Sequence, residues 1–161
     1  MIRFTRSTVI GASLVLAATL GLVAPAYASG HHDHPRQHGT LLQADLIGSL
    51  TTDAPLFGVN PGGVDWTVSS SAVKVGRDGR FDAKVHSLLV TSTQSNPVTT
   101  ISASLVCNGA LVDSVEPVPF DTAGNARIKG TFEVPDRCLA PAVLLHPANR
   151  VGTYIAASGV A

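Results

Sequence analysis

Histidines crowd the stretch Ser29-Gly30-His31-His32-Asp33-His34-Pro35-Arg36-Gln37-His38-Gly39. If a peptidase cuts after Ala28, the new terminus reads Ser29-Gly30-His31, with a free amine and a histidine at position three. The amine, two deprotonated backbone amides and the imidazole then offer four nitrogens in a plane, the donor set that suits square-planar Cu(II) or Ni(II). Neither Gly30 nor His31 is proline, so both amides have a proton to lose. His32, Asp33, His34 and His38 would add weaker sites for Cu(II) or Zn(II). The same stretch also reads as a solvated spacer whose metal affinity is incidental.

Other reactive residue types are sparse. Cys107 and Cys138 are the only cysteines. No Cys-x-x-Cys is present, so in an exported chain a structural disulfide is the expectation. Closing that loop is worth about 3.5–4 kcal/mol in the chain-entropy account. His86 and His146 are the remaining histidines able to act as a general base. His86 falls on the solvent-side register of its strand, and His146 precedes Pro147 in an expected loop. Neither has a visible partner. Asp78 with Asp82, or Asp121 with Asn125, have the types to contact Ca²⁺, although turn chemistry explains them better. There is no Gly-x-Ser-x-Gly elbow, His-Glu-x-x-His or phosphate-cradling Gly-Lys-Ser/Thr. Trp66 alternates with Val64 and Val68, which marks it as core rather than a stacking platform. No catalytic activity is expected.

The elements that must position these residues begin with an address. Arg3 and Arg6, an apolar run from Val9 to Ala24, and Ala26-Tyr27-Ala28 together read as a secretory signal peptide over residues 1–28. Residues 29–39 contain nothing to bury and are expected to be a disordered leader. The folded domain is expected over residues 40–161. Lysine plus arginine balance aspartate plus glutamate, 11 against 11, and loss of Arg3 and Arg6 leaves the remainder slightly acidic. That balance predicts no basic field for nucleic acid or anionic lipid, and no second apolar run predicts a membrane span after signal cleavage.

Within residues 40–161 the apolar residues alternate in short runs. Ile101, Ala103, Leu105 and Cys107 lead to Asn108-Gly109, and Ala110 to Val115 lead away, which is a strong hairpin signal. Ala72–Val75 and Phe81–Val90 flank Gly76-Arg77-Asp78-Gly79-Arg80, a second hairpin. Phe81, Ala83 and Val85 share one face, while Asp82, Lys84 and His86 share the other. Strands are also expected over Leu41–Leu50, Val64–Val68, Ala126–Val134, Ala142–Leu145 and Gly152–Ala157, with Leu56, Phe57 and Val59 covering one end of the core. Glu116–Pro119 reads as an irregular edge. No amphipathic helix of three turns is visible. An all-β fold follows: an antiparallel β-sandwich, immunoglobulin-like or related, of about eight strands with one disulfide, or failing that a small barrel.

Asn60-Pro-Gly-Gly-Val-Asp-Trp66, Leu105-Val-Cys-Asn-Gly-Ala110 and Cys138-Leu-Ala-Pro-Ala-Val-Leu-Leu145 together resemble small secreted β proteins of actinobacteria. That resemblance covers most of residues 29–161 and implies no particular activity. Pro97-Val-Thr-Thr100 and His146-Pro-Ala-Asn-Arg-Val-Gly152 are similar to the chordin-like extracellular β domain. Where that family has a His-rich strand and an acidic closing motif, this chain has Ser102, Ser104 and Gly152-Thr-Tyr, so the likeness implies architecture alone. The sequence thus predicts a secreted, extracellular structural or interaction module with an envelope or extracellular partner. The alternative is an extracellular metal-binding protein acting through its leader.

Overall fold

Strand follows strand through the computed structural model, which describes residues 39–158 and has no helix among them. In chain order these are β1 (Thr40–Ala44), β2 (Leu46–Gly48), β3 (Asn60–Pro61), β4 (Trp66–Thr67), β5 (Ser70–Gly76), β6 (Arg80–His86) and β7 (Leu89–Val90). There follow β8 (Thr100–Cys107), β9 (Ala110–Pro119), β10 (Ala126–Thr131), β11 (Ala142–Pro147), β12 (Thr153–Tyr154) and β13 (Ala156–Ser158). A four-stranded sheet runs β1-β5-β6-β10, and a five-stranded sheet runs β2-β13-β11-β8-β9. Every neighbouring pair in both is antiparallel. The expected all-β sandwich with one disulfide is what forms.

Each hairpin signal has its physical cause on display. Asn108 and Gly109 take φ of 57° and 79°, and Cys107 lies opposite Ala110, as a tight turn with two left-handed residues requires. Between β5 and β6, Gly79 takes φ of 82°, and Asp78 accepts a hydrogen bond from the Arg80 amide. The period-2 alternation of β6 sends Phe81, Ala83 and Val85 inward, where they meet Val73, Val75 and Ile128 of the same sheet. Ile101, Ala103 and Leu105 of β8 and Val143 and Leu145 of β11 come from the opposite sheet to complete this core. Full burial of each of the larger side chains is worth about 1.5–3 kcal/mol. Trp66 is buried in the same cluster, and β4 pairs it with Val90 of β7.

The five-stranded sheet is covered on its second face as well. Leu56 and Val59 close a tight turn through Phe57 and Gly58, whose φ values are 53° and 82°. From there β3 runs parallel to β12. Leu56, Val59 and Tyr154 thereby pack on Val106, Leu144 and Ala157 in a second apolar cluster. β8 is consequently buried on both faces.

Several expectations change in detail. Only Trp66–Thr67 of the Val64–Val68 stretch is strand, and Val64 is exposed. Phe57 is exposed at the tip of its turn rather than covering the core. Glu116–Pro119 ends β9 at the edge of the five-stranded sheet, and the irregularity expected there is a bulge, with Val115 to Val118 standing opposite Ala103 to Ile101. The largest correction concerns His146, which lies inside β11 and not in a loop. The signal segment 1–28 and the metal-site residues Ser29, Gly30, His31, His32, His34 and His38 lie outside the described residues.

Candidate functional site

His146 meets a hydroxyl that the sequence did not pair with it. β11 lies against β8 with Leu144 opposite Ser104 and His146 opposite Ser102, so both serines share the imidazole's face. Nδ1 of His146 lies 2.8 Å from the Thr153 carbonyl, and Nε2 lies 2.8 Å from Ser104 Oγ. A carbonyl only accepts, so Nδ1 carries the proton and Nε2 accepts from the serine hydroxyl. Ser102 Oγ donates to the Ala148 carbonyl at 2.6 Å. Burial pushes the His146 pKa down, and the Thr153 carbonyl offsets this in part. The Ser104–His146 bond has the polarity of a nucleophile–base pair, yet both residues are 0% exposed. Sealed from solvent, the pair fastens two strands together.

The other sequence candidates resolve into structure. Asp121 accepts from the Asn125 amide and side chain, which holds its carboxyl below the ordinary range. Asp78 tightens the β5–β6 turn, and Asp82 is taken by Arg127. His86 is exposed at the end of β6. Among the described residues no group of three or more His, Cys, Asp or Glu is placed to hold a metal ion. Cys107 and Cys138 form the disulfide. Asn108 reinforces it from the hairpin tip, accepting from the Leu139 amide and donating to the Arg137 carbonyl, both at 2.9 Å. A hollow of about 290 Å³ lies between β2 and Tyr154, lined by Ser49, Asp53 and Leu56 among others. Ser49 is 1% exposed, and its hydroxyl has no hydrogen-bond partner among the described residues.

The open face of the four-stranded sheet is different in kind. Register places Lys74, Asp82 and Lys129 in one row across β5, β6 and β10, and Ala72, Lys84 and Arg127 in the next. Arg80 stands opposite Thr131 in the row beyond, and Arg77 projects from the adjoining turn. These six cations are all exposed, and only Arg137 and Arg150 lie elsewhere in residues 39–158. Asp78 and Asp82 are the carboxylates beside them. Asp113, Glu116, Glu133 and Asp136 gather instead on β9 and the loop after β10, and Asp45, Asp53 and Asp65 lie around β2. Charges that balance along the sequence are therefore separated in space.

The chain matches no protein-family model, no curated protein and no solved structure.

The chemistry of this face comes from its own residues. Arg127 forks onto Asp82, with Nε to Oδ1 at 3.1 Å and a second nitrogen to Oδ2 at 2.6 Å. That bond, with the nearby charges of Arg127, Lys129 and Lys84, holds the Asp82 carboxyl below its ordinary range. Arg80 meets Asp78 at 3.4 Å. Lys74, Arg77, Lys84 and Lys129 have no carboxylate in ion-pair contact among the described residues. A shallow basin of about 650 Å³ is bordered by Lys74, Arg80, Asp82 and Lys129. Net charge concealed this arrangement, because only strand register shows which residues share a face.

Proposed function

We propose that the protein is a secreted structural or interaction module of the bacterial cell envelope or medium, engaging its partner through the open face of the four-stranded sheet rather than catalysing a reaction. The observation that carries this reading is the collection of unpaired cations on one exposed sheet face. Four such charges crowded together repel one another in the free protein, which an anionic partner would relieve. The disulfide is compatible with an oxidising compartment, and the sealed position of the Ser104–His146 pair supports a framework role for it. The test is to fractionate a producing culture and compare the native protein with a Lys74→Glu/Lys129→Glu variant. Native protein is expected in the envelope fraction and the variant free in the medium. Equal distribution of the two would refute a role for this face.

A second reading rests on the sequence Ser29-Gly30-His31 and the histidines after it. Freed by cleavage after Ala28, this leader would bind Cu(II) or Ni(II) at its terminus and Zn(II) less tightly along its length. Sequencing the N-terminus of the exported protein tests its first requirement.

A further inference from the structure

We propose that the open face of the four-stranded sheet binds an acidic polysaccharide of the cell surface. This deepens the interaction-module reading and rests on it. Across the strands, Lys74 and Lys129 flank Asp82 and stand about 10 Å apart, two inter-strand steps. Along β6, the row of Lys84 and Arg127 lies about 7 Å from the row of Asp82, two residues on. The result is a grid of positive charge set by strand spacing and register across an exposed sheet face.

The kinds of side chain on the grid select the partner. The Arg127 fork is already occupied by Asp82. What remains is chiefly lysine, a point charge that reads position and sign rather than the planar geometry of one anionic group. Gln43 lies opposite Lys74, Thr131 opposite Arg80, and Ser70 opposite His86, giving exposed amide and hydroxyl groups on the same face for sugar hydroxyls. Among the described residues no Phe, Tyr or Trp side chain belongs to this register, so the stacking platform for single-stranded nucleic acid is missing. Among the described residues no helix stands on the face to enter a duplex groove, and no large apolar side chain belongs to its outward register to enter a membrane interface.

The experiment uses protein purified in its host-processed form, with polygalacturonate as the probe and dextran as its uncharged counterpart. Binding to polygalacturonate and not to dextran is expected, weakening steeply between about 50 and about 200 mM salt. Lys74→Glu/Lys129→Glu should weaken it by at least about tenfold, since two attractive charges become repulsive. Asp82→Asn should strengthen it by removing the central carboxylate and freeing Arg127, a gain that unfolding cannot imitate. Arg150→Glu, away from the face, should leave affinity unchanged. Failure to bind polygalacturonate, or equal binding by the charge-reversed variant, overturns the proposal. Preference for duplex DNA or for phosphatidylserine vesicles over polygalacturonate also overturns it. If the charge-reversed variant leaves the envelope fraction while polygalacturonate goes unbound, the polysaccharide assignment falls and the interaction face stands.

Discussion

Ser104 and His146, on neighbouring strands and both without exposed surface, are joined by a 2.8 Å hydrogen bond from hydroxyl to Nε2. Deleting the hydroxyl leaves a buried ring nitrogen with no donor. Ser104→Ala is therefore expected to cost about 1–3 kcal/mol, the penalty of an orphaned buried acceptor. Denaturant unfolding followed by far-UV circular dichroism measures it, and a change near zero would show that the bond contributes nothing.

The same histidine makes stability depend on pH. Its folded-state pKa is pushed below the ordinary 6.5 by burial, so the unfolded chain takes up the proton first as pH falls. Stability should be full above about 6.5 and decline below it towards the folded-state value. His146→Gln should remove that slope from a series of melting temperatures taken between about pH 5 and about pH 8. Persistence of the slope would assign it to another group.

Ser49 offers the opposite sign. Its buried hydroxyl has no partner among the described residues, and removing such a group relieves a desolvation cost. Ser49→Ala is expected to leave stability unchanged or raise it by up to about 1 kcal/mol. A loss of more than that would mean that the hydroxyl is bonded in solution, which calorimetry would reveal.

Where β2 passes β4, space is short. A Cβ on Gly48 would fall against the Trp66 carbonyl, and that backbone is itself held by the bond from the Trp66 amide to the Ser49 carbonyl, at 2.8 Å. Gly48→Ala should destabilise by roughly 1–3 kcal/mol, the usual cost of overpacking. Thermal unfolding of the variant would settle it, with an unchanged midpoint counting against the close approach.

For the leader the decisive measurement is a Cu(II) titration followed by visible absorption. A terminus beginning at Ser29 should bind one ion in the four-nitrogen plane, more tightly as pH rises and amides deprotonate. One extra residue before Ser29, or His31→Ala, should abolish that site, while His38→Ala should not. Equal binding by the extended and native termini would leave only loose histidine coordination.

Much of the fold was legible because its signals are local. Asn108-Gly109 announces a turn through the backbone conformation that those residues permit, and Phe81, Ala83 and Val85 announce a buried face by their spacing. His146 was misplaced because Pro147 reads as a break, whereas it ends β11 next to the turn that begins at Ala148. Ser102 and Ser104 give no sign of burial in the sequence because alternation assumes that one side of a strand meets water. Here Ser102 meets the Ala148 carbonyl and Ser104 meets His146, while Leu56 and Val59 cover the neighbouring Val106, and a roof contributed by distant residues leaves no period in the strand it covers. The cationic face was hidden for a related reason, since Lys74, Lys84 and Lys129 become neighbours only through register.

The way the chain passes from one sheet to the other also bears on how fast it folds. β1 and β2 adjoin at Asp45 and serve opposite sheets, so β1 finds β5 nearby in sequence, while Gly48 of β2 must find Ala156. The loop that this second pairing closes spans nearly the whole domain. Closing it costs entropy before any contact repays it, which places the protein among the slow folders, on the millisecond-to-second scale. Until β13 arrives, β2 has no strand to pair with and the five-stranded sheet lacks its end.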